Sequence, residues 1–265
     1  MNVAILGAAG RMGQTLLRFA AQLPDCEVVA AVERADLPCI GGPVKLDGLP
    51  DGLAYTADWP DVADTVIDFS FHATVPASIA KAAERGQVYV LGTTGLTDEE
   101  QGAVRKAAEK IPVVWSSNMS PGVNLLLELV RRSAATLGVD YDIEITEAHH
   151  RLKKDAPSGT AIMLAQAAAA GRGVELRDVA CYGREGIVGE RPVGEIGIHA
   201  IRGGSVVGDH TVMFMANEER VELTHKAGDR SVFAKGAFAA AAWLQGRAAG
   251  LYSMRHVLGF EEVRG

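Results

Sequence analysis

Residues 3–13 read VAILGAAGRMG, a short apolar run that leads into a turn with three glycines. Apolar residues then continue at helical spacing through Leu16, Leu17 and Phe19. A strand, a glycine turn and a helix in this order bind dinucleotides, because glycine lets the backbone approach a pyrophosphate closely. The stretch therefore predicts a Rossmann-type α/β domain. Its expected cofactor contacts in the turn are Gly7, Ala8, Ala9, Gly10, Arg11 and Met12.

An acidic residue, Glu33, lies twenty positions beyond Gly13, at the end of a second apolar run. A carboxylate there accepts hydrogen bonds from the adenine-side ribose, which favours NADH. Arg34 follows at once and Arg11 lies in the glycine turn, so two guanidinium groups are available for the 2′-phosphate of NADPH. The sequence predicts NADH or NADPH as cofactor and leaves the preference open. A surface Glu-Arg pair at a strand end is the alternative interpretation.

Strands and helices keep alternating up to residue 115, which indicates a parallel sheet. Strands are predicted at 65–69, 88–91 and 113–115, and helices at 75–85 and 98–110. Ligands of such sheets bind at the carboxyl ends of the strands. Loops at these ends are therefore predicted to contact the cofactor through Gly92, Thr93, Thr94, Ser116, Ser117, Asn118 and Met119.

A second distinctive stretch, residues 147–161, reads EAHHRLKKDAPSGTA and leads into an Ala-rich helix. Histidine donates protons near neutral pH, and the amides of a helix N-terminus bind anions. A capping turn at Pro157 and Ser158 is the simpler interpretation of the helix start, but it leaves the histidine pair unexplained. We therefore expect a site for a small dianionic substrate, formed by His149, His150, Lys153, Gly159 and Thr160.

The chain is predicted to leave the first domain at Ser120-Pro121-Gly122 and to form a second sheet. A strand at 141–148 brings the histidines to its end, and later strands pair antiparallel with Gly203-Gly204 as a hairpin turn. Apolar residues in this open sheet predict that its second face packs on another copy of the chain, giving a homo-oligomer. Three histidines of these strands are interpreted as structural: His199, His210 and His225.

Arg230 precedes an Ala-rich helix that ends at Leu244 and suits the face of a Rossmann-type sheet, so the chain is predicted to return to the first domain. The expected domains are 1–119 with 230–265, which binds the dinucleotide, and 120–229, which binds substrate and forms the oligomer. At the start of the returning helix, Arg230 is a candidate for bidentate binding of a substrate carboxylate.

Composition narrows the class of protein. The formal net charge of −7, with 48% hydrophobic residues, argues against a nucleic-acid-binding surface and for a well-buried core. Cys26, Cys39 and Cys181 show no metal-ligand or redox spacing, which fits a reducing cytoplasm and no metal. Neither a basic leader nor an apolar run long enough to cross a bilayer is present, so a soluble protein without membrane partners is expected.

Several motifs together resemble the dihydrodipicolinate reductase family, and the resemblance extends over almost the whole chain. They are the glycine turn, Glu33-Arg34, Gly92-Thr93-Thr94-Gly95, the segment from His149 to Ala161, and His225-Lys226-Ala227 with Arg230. The segment from His149 is specific to the family, whereas the glycine turn occurs in many dehydrogenases.

The resemblance implies reduction of 4-hydroxy-tetrahydrodipicolinate by NADH or NADPH in lysine and diaminopimelate biosynthesis. It also implies that His149 and Lys153 donate protons, that His150, Gly159 and Thr160 bind carboxylates, and that the chain forms a homotetramer. Leu152 stands where some relatives have a histidine, and Met119 where some have phenylalanine. Neither departure removes a necessary group, although Met119 alters the packing expected around the nicotinamide.

Two other interpretations stay open at the level of sequence. One is a two-domain NAD(P) dehydrogenase of a small amino-acid-derived acid, such as aspartate dehydrogenase. The other is a redox sensor that binds NAD(P)H without catalysis. The histidine pair followed by Lys153 and Ser158-Gly159-Thr160 argues against both.

Overall fold

The computed structural model describes residues 1–260. The chain divides into two compact units. The first comprises Met1–Pro121 together with the chain from Arg230 onward, and the second comprises Gly122–Asp229. Residues 261–265 of the predicted domain 230–265 lie outside the described residues.

The first unit begins with strands and helices in alternation, as the sequence pattern predicts. They are β1 (Asn2–Leu6), α1 (Arg11–Ala20), β2 (Glu27–Val32), β3 (Tyr55–Thr56), β4 (Thr65–Asp68), α2 (Val75–Glu84), β5 (Val88–Leu91), α3 (Asp98–Ala108) and β6 (Pro112–Trp115).

The central strands of this unit are apolar on both faces, because helices cover both sides of the sheet. In β1, Val3 and Ile5 pack into a core with α1, whereas Ala4 and Leu6 pack on the opposite side with α2 and α3. All four side chains are buried. This continuous burial explains why the first strand reads as an unbroken apolar run.

The second unit places helices on one face of a five-stranded sheet. Its elements are α4 (Pro121–Leu137), β7 (Asp142–His149), α5 (Gly159–Arg172), α6 (Leu176–Val179), β8 (Ala180–Cys181), β9 (Ile196–Arg202), β10 (Asp209–Met215) and β11 (Arg220–Lys226), with α4 starting at the last residue of the first unit.

The strand order in this sheet is β11-β10-β7-β9-β8. β10 is antiparallel to β7 and β11, whereas β9 is parallel to β7 and β8. A separate unit with an open sheet is thus confirmed, but the sheet is mixed rather than mainly antiparallel.

The hairpin predicted at Gly203-Gly204 is wrong. β9 and β10 do not pair, because β7 lies between them. The connecting segment instead passes the end of β7, where Gly203 N donates to His149 O at 3.0 Å and His150 N donates to Val206 O at 2.8 Å. The double glycine therefore belongs to a loop that wraps the end of the histidine-bearing strand.

The apolar residues that suggested an oligomer face point the other way. Ile196, Ile198, Val212 and Phe214 are buried in one core with α4 and α5. Side chains alternate along a strand, so the opposite face carries a mixed set that includes Thr146, Ile201, Thr211 and Met213. These apolar residues therefore fill the core of the second unit and give no support for an oligomer interface. The homo-oligomer stays a prediction.

The chain then returns to the first unit through α7 (Ser231–Leu244), β12 (Gly250–Tyr252) and α8 (Met254–Val257). The complete first sheet is parallel throughout, in the order β12-β6-β5-β4-β1-β2-β3. α7 packs so closely that a Cβ at Gly236 would lie 1.7 Å from Met119 O. None of the helices in residues 1–260 has the length and apolar character that crossing a bilayer requires.

Candidate functional site

The glycine turn after β1 has room for glycine alone at two positions. Gly7 has φ +75°, and a Cβ there would lie 2.5 Å from Phe69 O. A Cβ at Gly13 would lie 2.1 Å from Gly7 O, so α1 packs directly on the turn. Gly10 is the N-cap of α1 and, being a glycine, offers no side chain to cap it. A helix start of this kind suits a pyrophosphate, which would accept hydrogen bonds from its amides.

Glu33 lies at this turn through a backbone contact. Its Oε1 accepts a hydrogen bond from Ala9 N at 2.8 Å, which places the carboxylate beside the glycines. Arg34 pairs with Asp36 at 3.1 Å, and both side chains are exposed. Glu33 and Arg34 line a cleft of about 360 Å³ that also includes Gly7 and Phe71. Its size suits part of a dinucleotide, and its lining presents an acid and a base side by side.

A buried carboxylate that sequence reasoning missed joins two of the expected cofactor loops. Asp68, at the end of β4, accepts hydrogen bonds from Ser70 N at 2.8 Å and Thr93 Oγ1 at 2.9 Å through one oxygen. The other oxygen accepts from Tyr89 OH at 2.5 Å. Burial and the Asp68 carboxylate raise the pKa of Tyr89 well above its usual value, so the phenol stays a donor. The sequence feature that could have identified Asp68 is an acidic residue at the end of an otherwise apolar strand.

The remaining loop residues differ in their placement. Gly92 is required because a Cβ there would lie 2.3 Å from the Phe69 ring. Ser116 Oγ donates to Asn118 O at 2.7 Å, which closes the turn after β6. Met119 is only 1% exposed and packs in the core of the first unit. Its side chain is therefore part of the core rather than of a ligand-facing surface.

In the second unit, Glu147 is the centre of the site and was not singled out from the sequence. It is 1% exposed, yet its carboxylate accepts four hydrogen bonds. Oε2 accepts from His149 Nδ1 at 2.6 Å and Arg202 Nη1 at 2.8 Å. Oε1 accepts from Ser158 N at 2.9 Å and Arg202 Nη2 at 2.8 Å.

Two opposing effects act on the pKa of Glu147. Burial raises it, but the hydrogen bonds from Arg202, His149 and Ser158 outweigh burial and lower it below its ordinary value. The carboxylate is therefore ionised and can only accept. Neutral His149 must then carry its proton on Nδ1, which leaves Nε2 as the ring atom for chemistry.

The loop that wraps the end of β7 makes room for this ring. A Cβ at Gly208 would lie 3.0 Å from His149 Nε2, closer than such contacts normally come. The backbone of Arg151 is held by the same loop through a bond to Gly204 O at 3.3 Å. Glycine at position 208 therefore leaves room for the Nε2 side of the imidazole.

Ser158 connects a further histidine, His210, to the start of α5. Its Oγ accepts a hydrogen bond from Ala161 N at 3.1 Å, so it is the N-cap. The same Oγ lies 3.1 Å from Nε2 of His210, whose ring centroid is 5.2 Å from that of His149. The sequence interpretation left His210 outside the site, whereas the register of β10 against β7 brings it in.

The other predicted substrate residues are divided between the two units, with Arg230 in the first and the rest in the second. Lys153 Nζ pairs with Asp155 at 2.9 Å, in the loop before α5, and Nδ1 of His150 is buried without a hydrogen bond from the described residues. Gly159 and Thr160 form the first turn of α5. Arg230 is the N-cap of α7 and so belongs to the first unit.

Comparison with known families matches both parts of the chain. Residues 1–119 match the family model "Dihydrodipicolinate reductase, N-terminus", and residues 122–258 match "Dihydrodipicolinate reductase, C-terminus". Together the two models cover nearly the whole sequence.

Individual relatives agree with this match. A 4-hydroxy-tetrahydrodipicolinate reductase of Parvibaculum lavamentivorans is 48% identical, with 98% of each chain covered. One of Rhodopseudomonas palustris is 46% identical, with 99% of each chain covered. A dipicolinate-bound dihydrodipicolinate reductase from Paenisporosarcina sp. TG-14 has the same fold, with a TM-score of 0.77 at 22% identity over 96% of this chain and 97% of that one. The chain belongs to the dihydrodipicolinate reductase family.

Proposed function

We propose that this chain reduces 4-hydroxy-tetrahydrodipicolinate to tetrahydrodipicolinate with NADH or NADPH, in lysine and diaminopimelate biosynthesis. The reaction adds a hydride and a proton to the substrate and releases its 4-hydroxyl as water. Relatives that align over almost their entire length are named for this activity. The structural observation that carries the proposal is the hydrogen bond of His149 to Glu147, which also binds the start of α5.

We assign the cofactor to the first unit. The bound reduced nicotinamide supplies the hydride. The uncapped start of α1 suits the pyrophosphate and Glu33 the adenine-side ribose. The full set of assigned contacts is Gly7, Ala8, Ala9, Gly10, Arg11, Met12, Glu33, Arg34, Gly92, Thr93, Thr94, Ser116, Ser117, Asn118 and the backbone of Met119.

Both cofactors are expected to work. Glu33 offers acceptors for the ribose hydroxyls of NADH. Arg34 forms an exposed ion pair with Asp36, and such pairs contribute about 0–1 kcal/mol. The guanidinium can therefore turn to a 2′-phosphate at little cost in free energy.

We assign the transferred proton to Nε2 of His149, because Nδ1 is occupied by Glu147. A positioned general acid typically contributes about 10²- to 10⁴-fold in rate. Lys153 is the second proposed donor, and its partner Asp155 is largely exposed to solvent. His149 is buried, which suits a group that donates a proton to bound substrate. The Lys153–Asp155 pair is in contact with solvent, which suits a group that regains its proton from water.

The two substrate carboxylates are assigned to groups that carry positive charge or amide hydrogens. The first turn of α5 offers the amides of Gly159 and Thr160 at the positive end of a 14-residue helix. His150 lies next to the proposed acid on the same strand end. Arg230 is the proposed bidentate partner of the remaining carboxylate.

We also propose a homotetramer in the cytoplasm. Ile201 is 57% exposed on the face of the second sheet opposite α5, where a second copy would cover it. All three cysteines are free thiols, as a reducing compartment requires. Light scattering of the purified protein tests the assembly, since a monomer mass at micromolar concentration contradicts it.

The proposed reaction is tested by following the hydride. The protein is supplied with NADPH deuterated at one or the other of the two C4 positions. The substrate is formed in the same mixture from pyruvate and aspartate semialdehyde by the synthase that precedes this step in the pathway. Mass spectrometry of the product should show one additional mass unit with one of the two labels and none with the other. Product without label from both preparations contradicts hydride transfer from the nicotinamide.

A further inference from the structure

We propose that Glu147 and Arg202 are positioning residues that set the tautomer and the charge of His149. Glu147 fixes the imidazole through Nδ1, and Arg202 balances the charge of Glu147. This inference rests on the proposed function, because it concerns the proton donor of that reaction.

The Glu147 carboxylate accepts hydrogen bonds from residues of three parts of the second unit. His149 lies on the same strand, Arg202 ends β9, and Ser158 starts α5. One oxygen is shared by His149 and Arg202, and the other by Arg202 and Ser158 N, all at 2.6–2.9 Å. The proton donor and the proposed carboxylate-binding turn are thus held by one buried group, so displacing Glu147 displaces both.

The two charges of this pair act on His149 in opposite directions. An anion on Nδ1 stabilises the imidazolium, which is the form that donates a proton. A guanidinium on the same carboxylate oxygen opposes that stabilisation. Removing the charge of Glu147 should therefore let His149 lose its proton at lower pH. Removing Arg202 leaves the carboxylate uncompensated, so the Glu147–His149 pair should hold its proton to higher pH.

Other charged or titratable groups near His149 come from every neighbouring element. They are His150 directly after β7, Asp209 and His210 on β10, His225 on β11, and Lys153 and Asp155 in the loop before α5. These groups are the same in both variants, so they cannot produce shifts of opposite sign.

The first test is the pH–rate profile of kcat for the parent, Glu147→Gln and Arg202→Met. The rate of the parent should fall as pH rises through the titration of the acid. That falling limb should move to lower pH in Glu147→Gln and to higher pH in Arg202→Met, each by roughly one pH unit. Limbs that coincide with the parent, or that move in the same direction, overturn the proposal.

Glu144→Gln is the matched control. Glu144 lies on the same strand, is also buried, and binds Arg184, Arg191 and His199 instead of the proton donor. Losing a buried, salt-bridged glutamate is therefore common to both variants. Of these two glutamate variants, Glu147→Gln should displace the limb and Glu144→Gln should not, and a displaced limb in Glu144→Gln overturns the specific role of Glu147.

A second measurement is independent of turnover. Nitrogen NMR of the histidine rings, in protein labelled with ¹⁵N-histidine and assigned with His149→Gln, reports the tautomer of His149 without substrate. Neutral His149 of the parent should carry its proton on Nδ1. A proton on Nε2 overturns the proposal even if a variant does not fold. The expected tautomer in a protein without reductase activity would instead reject the proposed function and leave the positioning geometry intact.

Discussion

Ser158 Oγ lies 3.1 Å from Nε2 of His210 while capping α5. Because the hydroxyl oxygen already accepts from Ala161 N, its hydrogen is free to be donated to a neutral imidazole. His210 is 4% exposed, and burial, followed by the neighbouring His149, lowers its pKa to about 4. The neutral form of His210 is therefore part of the folded site at physiological pH.

This pKa makes stability depend on pH in a definite direction. The folded-state pKa of about 4 is below the ordinary histidine pKa of 6.5, so the unfolded chain takes up the proton first as pH falls. The stabilising contribution is complete above pH 6.5 and is lost between about 6.5 and 4, up to about 3 kcal/mol.

Urea unfolding at pH 7, 5.5 and 4.5, at one protein concentration, tests this dependence in the parent and in His210→Gln. The free energy of unfolding should fall more steeply with decreasing pH in the parent, because the variant lacks the titrating group. Equal slopes in the two proteins would show that His210 is not held neutral.

Ser158→Ala should destabilise the protein more than an ordinary capping loss. The helix cap contributes about 1 kcal/mol, and leaving the buried His210 nitrogen without its partner adds about 1–3 kcal/mol. Thr97→Ala is the control, since Thr97 caps α3 through Glu100 N and, within residues 1–260, bonds to no buried histidine. Equal losses of unfolding free energy in the two variants would argue against the Ser158–His210 bond.

Gly208→Ala should reduce turnover because the new methyl group presses on Nε2 of His149. A displacement of the acid by a fraction of an ångström should lower kcat by about 10- to 100-fold. Gly203→Ala, in the same loop, has open space around its Cβ and no left-handed φ, so its kcat should match the parent. Similar kcat values for all three proteins would place the reactive side of His149 elsewhere.

Arg34→Ala should separate the two cofactors. Removing a charge-assisted hydrogen bond to the 2′-phosphate should raise KM for NADPH about tenfold, whereas KM for NADH should change by less than about twofold. Initial rates with each cofactor at saturating substrate give both constants. A parallel rise for NADH and NADPH would mean that Arg34 does not contact the 2′-phosphate.

The secondary structure of the first unit could be predicted well, because the patterns that indicate its strands, turn and helices lie within short stretches of sequence. The glycine turn, the helices with apolar periodicity and the buried strands each depend on a few consecutive residues. The short strands β3 and β12 were missed, since two or three residues carry no periodicity.

The second unit shows where local reasoning ends. Strand pairing depends on segments that are distant in the sequence. The local pattern around Gly203-Gly204 therefore suggested a hairpin between β9 and β10, whereas β7 lies between these two strands. The same limit hid His210, which enters the site only through its register opposite Glu147. Glu147 was quoted as the start of the histidine segment, but its four hydrogen bonds come from residues as far along the chain as Arg202.

Oxidation of NADH or NADPH by the purified protein, in the presence of pyruvate, aspartate semialdehyde and the preceding synthase, tests the proposed reduction most directly. Loss of reduced-nicotinamide absorbance should require both carbon substrates and this protein, and His149→Ala should slow it by about 10²- to 10⁴-fold while leaving cofactor binding intact. No oxidation by the parent, with substrate formation verified independently, would contradict the proposed reaction.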